Sequence, residues 1–220
     1  MMASISKLRG INELKRRSRQ KPPQSSILIV CEGETEEEYF KAVRTHYRLT
    51  GAEVVIAKNT KGSAPINVVK CAEEKCAEPG GYDQVYCVFD QDEHESFTRA
   101  RGRIISLAGR KKKPLPIEEA ISIPCFEFWI LLHYEQTDSP FNRCEEVKDR
   151  VRQHFSDYQK ADAATARKLM NKLAAALDNA RWLEKLRARN KNNPYTSVHK
   201  IIQHFSEVAG GPSEFGIKAR

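Results

Sequence analysis

The 220-residue sequence predicts an α/β fold: a doubly wound sheet of about four parallel strands, followed by a C-terminal helical region. Three observations predict it. Short apolar runs alternate with amphipathic, helix-length stretches as far as His133. Those runs are apolar at successive positions, as expected of parallel strands covered by helices on both faces. From Asn142 onward the strand-like runs give way to helical periodicity.

Residues 1–24 read as a basic flexible arm ended by Pro22 and Pro23. Ser26-Ile-Leu-Ile-Val-Cys31 is the first strand. Thr35 to Leu49 is a helix with Tyr39, Phe40, Val43 and Tyr47 on one face and Thr35 as its candidate cap. Ala52 to Ala57 is the second strand. Ala64 to Ala77 is the second helix, with Ser63 as a candidate cap and Pro65 at an early position that tolerates it. Pro79, Gly80 and Gly81 break the chain before the third strand, Gln84 to Phe89. Phe97 to Leu107 is a helix, Ile117 to Ile123 the fourth strand and Phe126 to His133 a short apolar helix. Glu145 to Phe155, Ala163 to Ala188 and Ser197 to Val208 complete the helical part. The boundaries that follow are an arm over 1–24, an α/β domain over 25–140, helices packed on or beside it over 141–210, and a loose tail over 211–220.

The apolar share of 40% excludes a globally disordered chain. No apolar run is long enough to span a bilayer, and no apolar segment follows the basic N-terminus, so the expected compartment is the cytoplasm. In that compartment the six cysteines are expected as reduced thiols, with Cys31 and Cys87 in the core. Cys71 and Cys76 lie in a helix without zinc-like spacing, so no zinc site is read from them.

The net charge is +8, from 37 basic and 29 acidic residues, and it is unevenly spread. Basic clusters at Lys7–Lys21, Arg99–Lys113 and Arg181–Lys191 suit a polyanionic partner, since each neutralised phosphate releases counterions. A solvated surface is the competing explanation for the arm, and solvated helix faces are the favoured one for the second and third clusters.

Three acidic groups follow predicted strands. Glu32, Glu34 and Glu36 come after the first, Asp90, Asp92 and Glu93 after the third, and Glu127 after the fourth. In an open parallel sheet all strand C-termini share one edge, where ligand sites form. Carboxylates crowded there repel one another unless a cation neutralises them, and hard oxygen donors suit Mg2+ or Mn2+. Gly33 leaves space for a tight turn between Glu32 and Glu34. The competing explanation is local: acids in a first helical turn favour the helix dipole.

Three segments and a closing element resemble the RloB-like family, whose catalytic core is a Toprim domain. The segments are Ile27-Leu-Ile-Val-Cys-Glu-Gly-Glu-Thr-Glu36, Tyr82 to His94 and Ile123-Pro-Cys-Phe-Glu-Phe-Trp-Ile-Leu-Leu-His133. The closing element is Asn193-Pro-Tyr-Thr-Ser-Val-His199. The resemblance spans about residues 26–205. It implies a Toprim-like sheet in which Glu32, Asp90 and Asp92 form the metal-dependent catalytic set. By similarity to OLD-type nucleases it adds Glu36 and Glu127. Cys125 stands where those nucleases carry serine, and Ile123 where the family commonly has asparagine. The resemblance further implies phosphodiester cleavage in DNA or RNA, antiviral defence, and an ATPase partner protein.

The residue roles expected are these. Asp90 and Asp92 bind metal directly, Glu32 binds it or moves a proton, and Glu36 and Glu127 complete the metal set. Lys160 is the candidate for stabilising transition-state charge, against a solvated lysine. His94 is a candidate phosphate contact or proton shuttle, against a helix-start residue that bonds locally. His133 and His199 are read as structural, and Phe126, Phe128 and Trp129 as core. Lys61-Gly62-Ser63 is a candidate phosphate contact at a helix start, without Walker spacing. The alternative to a nuclease is a non-catalytic nucleic-acid-binding or scaffold protein on the same fold. Primase or topoisomerase chemistry is a third reading; the chain shows neither a zinc module nor a separate strand-cleaving domain. Homo-oligomerisation is left open.

Overall fold

The computed structural model describes residues 25–57, 64–91, 96–187 and 192–210. The arm before residue 25, the Lys61-Gly62-Ser63 element, Asp92, His94 and the tail after residue 210 lie outside the described residues.

Four parallel strands form the sheet: β1 (Ile27–Cys31), β2 (Ala52–Ile56), β3 (Gln84–Asp90) and β4 (Ile117–Ile123). A fifth, β5 (Tyr195–Thr196), pairs antiparallel with β4, giving the order β2-β1-β3-β4-β5. The helices are α1 (Glu34–Tyr47), α2 (Pro65–Ala77), α3 (Ser96–Ala108), α4 (Glu127–Leu131), α5 (Cys144–His154), α6 (Ala163–Leu169), α7 (Leu173–Leu186) and α8 (Val198–Val208). None is long and apolar enough to cross a membrane. The predicted α/β class, parallel sheet and helical C-terminal region are all present.

The continuous apolar runs are explained by burial on both faces. Along β1, Ile27, Ile29 and Cys31 point into one core, while Leu28 and Val30 point into the other. β3 alternates in the same way, with Tyr86 and Val88 on the first side and Val85, Cys87 and Phe89 on the second. Side chains two apart share a face, so a strand apolar throughout needs cover on both. Helices α2 and α3 cover the second core, whereas α1 and α4 to α8 share the first. The helical region is therefore packed on the sheet through Val147, Leu173, Ile201 and Phe205.

Four local expectations are corrected. Gly33, in extended backbone, is the N-cap of α1, so Thr35 lies inside the first turn. Ala64 caps α2 in place of Ser63, with Pro65 in its first turn. The helix expected over Ala163–Ala188 is broken by a 3-10 turn at Met170–Lys172, where the chain turns from α6 into α7. The closing element contains β5, which was read as loop and helix start. Ser197 N–H bonds to the Ile121 carbonyl at 2.9 Å, and Ser197 Oγ accepts from Ile121 N–H at 3.0 Å. Asn193 clamps Phe141 by accepting from its N–H at 3.2 Å and donating to its carbonyl. The element thus fastens the helical region to the sheet edge.

Trp129 has no exposed surface and packs edge-on against Tyr39 and His133, with ring centres 6.2 and 5.1 Å away. Phe126 and Phe128 are buried beside it, as expected. Trp129→Ala is expected to cost roughly 3–5 kcal/mol, read as a lower urea midpoint, because the surrounding rings cannot collapse into the vacated space.

Candidate metal centre at the β1–β3 edge

In this strand order β2 lies on one side of β1 and β3 on the other, so the chain reverses its winding between β1 and β3. The helices that follow these strands leave to opposite faces, which opens a crevice at their C-terminal ends. Cys31 is level with Val88, and Glu32 N–H bonds to the Val88 carbonyl at 3.1 Å. The chain leaves both strands at this crevice, where Glu32 and Asp90 stand together: Asp90 N–H donates a long bond to Glu32 Oε2 at 3.3 Å. An open pocket of about 370 Å³ lies here, lined by Glu32, Gly33, Glu36, Asp90 and Lys160 among others.

Glu36 is delivered by the first turn of α1 and is only 6% exposed. Gly33 makes this possible. A Cβ on Gly33 would sit 3.0 Å from Glu36 Oε2, so any side chain there would press on the carboxylate. Burial, reinforced by the charges of Glu127 and Glu32, lifts the Glu36 carboxyl to about 7. Asp90 is likewise pushed well above the usual carboxylate range, by burial of its carboxyl and then by Glu36 and Glu127; a bond from Phe126 N–H partly offsets this.

Glu127 opens α4 and is 2% exposed. Lys160, from the loop between α5 and α6, reaches it with Nζ 2.7 Å from Oε1. The ion pair is close but poorly aligned, and Glu127 Oε1 has no well-directed donor. Burial alone would lower the Lys160 amine, but the contact with Glu127 outweighs it and the net shift is upward. Of the six residues predicted for the site, the fold brings Glu32, Glu36, Asp90, Glu127 and Lys160 together, while Asp92 lies outside the described residues.

Two features escaped the sequence reading. Tyr158 is buried, its hydroxyl has no hydrogen-bond partner, and Glu127 and Glu36 are among the charges acting on it, opposed by Arg152. No motif marks it; only the fold of the α5–α6 loop brings it here. The second is a disulfide between Cys125 and Cys144, which corrects the expectation that all six cysteines are reduced thiols. The remaining four are free, with Cys31 and Cys87 in the core as expected. Cys125, Glu127 and Cys144 also bring three candidate metal-ligand atoms within 4.8 Å of one another, a convergence that the Cys71/Cys76 spacing gave no hint of.

His133 and His199 sit in structural settings. His133 is buried; its Nδ1 faces the Trp129 carbonyl at 3.1 Å and must carry the proton. Nε2 therefore accepts from the Tyr39 hydroxyl, also at 3.1 Å, and burial lowers the ring to about 4. His199 is fully buried against Glu184 at 3.1 Å. Several cations of the predicted basic clusters are paired: Arg101 with Glu119, Arg103 and Arg110 with Glu73, and Arg181 with Asp178.

The donors at the crevice are carboxylate oxygens. Two buried acids are held toward their protonated forms by burial and then by the neighbouring carboxylates, and one buried oxygen lacks a directed partner. That set fits a hard divalent cation. Among curated proteins and among solved structures, none matches the chain. The family model described as RloB-like protein matches residues 27–205, most of the sequence and the carboxylates Glu32, Glu36, Asp90 and Glu127, and the chain belongs to the RloB-like family.

Proposed function

We propose that this protein is a nuclease of Toprim type that uses Mg2+ or Mn2+ to cleave phosphodiester bonds in DNA or RNA. The observation that carries the reading is the meeting of Glu32, Glu36, Asp90 and Glu127, drawn from three chain segments, at the β1–β3 crevice. These four carboxylates would hold the cation. Bound there, it would polarise a phosphoryl oxygen and make a bound water more acidic.

The chain's own groups divide the remaining work. Glu32, part-exposed at the pocket, is placed to accept a proton at its carboxylate. Lys160 Nζ, half-exposed on the same pocket, places a positive charge where a phosphate enters. The Tyr158 hydroxyl is a donor without a partner, available to an oxygen in the site. Burial of Glu36 and Glu127 keeps bulk water from competing for their oxygens. The basic arm over 1–24 would supply sequence-independent phosphate contacts. A role in antiviral defence beside an ATPase partner, in the cytoplasm, is part of the same proposal and rests on the family resemblance.

The test is incubation of the purified protein with plasmid DNA and with total RNA, in Mg2+, in Mn2+ and in EDTA, alongside Asp90→Ala. Cleavage of one substrate class that requires the ion and vanishes in the variant supports the nuclease. Binding of nucleic acid without cleavage under every condition would leave a scaffold or binding protein in its place.

A further inference from the structure

Cys125 closes the turn from β4 into α4, and Cys144 opens α5, 19 residues later. Their sulfurs are bonded, with Cα atoms 5.7 Å apart, while the other four cysteines are free. The bond lies against the carboxylate crevice. Glu127 follows Cys125 by two residues, and its Oε2 is 3.3 Å from Cys144 Sγ.

The meaning of that contact depends on the oxidation state of the sulfur. In the disulfide, Cys144 Sγ carries no proton, so the approach is a contact without a hydrogen bond. As a thiol, Cys144 would aim an S–H donor at Glu127 Oε2. Glu127 Oε1 is already against Lys160. The thiol would therefore occupy the other oxygen of the same carboxylate.

We propose that Cys125 and Cys144 form a reversible thiol–disulfide site that controls the Glu127 carboxylate, the disulfide leaving Oε2 available to a cation and the thiol engaging it. The effect on metal binding rests on the reading of Glu127 as a metal-binding residue. Access is unequal: Cys125 is 4% exposed, whereas Cys144 is only partly buried. A low-molecular-weight thiolate would thus attack Cys144 Sγ. The Sγ–Sγ bond breaks, and its electron pair, then a proton, go to Cys125. A second small thiolate attacks the small-molecule sulfur of the mixed disulfide, and the electron pair of that S–S bond, then a proton, go to Cys144, so two small thiols are oxidised to one small disulfide as the protein gains two thiols. A small disulfide, such as oxidised glutathione, drives the reverse reaction with the same balance.

The experiment equilibrates the protein in buffers of varied reduced-to-oxidised glutathione ratio. Free thiols are alkylated and located by mass, and Mn2+ is titrated calorimetrically into each form. Cys125 and Cys144 are expected to become alkylated together as reduced glutathione comes to dominate. The Mn2+ dissociation constant should rise about fivefold on reduction, the effect of losing one carboxylate oxygen to a weak hydrogen bond. Cys144→Ala, with neither the bond nor the Cys144 donor, should keep the tighter binding in both buffers, and Cys144→Ser, with a hydroxyl donor, the weaker binding in both. Cysteines that alkylate at every ratio, or at none, would overturn the site, as would equal Mn2+ affinity in the two wild-type states. If neither state binds Mn2+, the metal reading falls, and the 13C carboxyl resonance of Glu127 decides the switch. A resonance that moves on reduction in the wild type but not in Cys144→Ala supports it, and an unmoved one overturns it.

Discussion

Asp90→Asn is expected to melt above the wild type in EDTA and below it in saturating manganese. The crossing follows from the crowding at the crevice. Asp90 is held well above the usual carboxylate range by burial and by Glu36 and Glu127, so ionising it works against the folded state. Asparagine keeps an oxygen to accept from Phe126 N–H and carries no charge. Each kcal/mol of repulsion relieved should raise the melting temperature by roughly 2–4 °C in a chain of this size. With the ion present the sign reverses. A ligand at a hundred times its dissociation constant stabilises the folded state by about 2.7 kcal/mol, which the variant would largely forfeit along with the binding. On the proposed function, phosphodiester cleavage should fall about a thousandfold, near 4 kcal/mol of barrier. Differential scanning calorimetry in the two buffers checks the crossing, and a variant that melts lower in both would assign Asp90 a purely structural role.

The second large effect concerns Glu36 and pH. Its carboxyl is raised to about 7 in the folded protein and returns to an ordinary value, about 4.5, when unfolded. Below pH 4.5 both states hold the proton and its full contribution to stability is present. As pH rises toward 7, the unfolded state releases the proton first, and that contribution drains away. The shift corresponds to about 3 kcal/mol. His133 acts in the opposite sense: its ring is lowered to about 4, so its contribution grows as pH rises from 4 through the ordinary histidine range. The wild-type profile in EDTA mixes these with Asp90, raised in the same sense as Glu36, and the difference between wild type and Glu36→Gln isolates the part that depends on Glu36. The variant should match the wild type near pH 4.5 and exceed it by about 3 kcal/mol at pH 8, measured by urea unfolding. A difference that does not change with pH would place the burden on some other group.

The sheet was legible because its strands carry a pattern that nothing but burial on both faces explains, as at Ile27–Cys31 and Gln84–Phe89. The edge at which the acids meet followed from topology alone, since parallel strands must end together. Less could be read where one residue's position depends on a distant partner. That Glu36 is buried depends on the space beside Gly33, and that Glu127 meets Lys160 depends on how the α5–α6 loop folds back. The Cys125–Cys144 bond joins two elements whose spacing in the chain carries no metal or disulfide pattern. β5 is two residues long, too short for alternation to register, and it exists because Ser197, Thr196 and Asn193 find partners across the fold. The break at Met170 lies within a helical pattern that runs on without a glycine or proline, so composition gave no stop signal there.

The seal that β5 and α8 provide has a consequence for how the protein is made. Tyr195 and Thr196 close the β4 edge, and Val198, Ile201, Ile202 and Phe205 fill the core beneath β1 and β3. A nascent polypeptide halted before Tyr195 would carry every residue of the crevice yet present an open strand and an unfilled apolar face to its surroundings. Assembly of the crevice thus waits until Tyr195 to Phe205 have left the ribosome, and a molecule halted before them would lack a finished β4 edge and core.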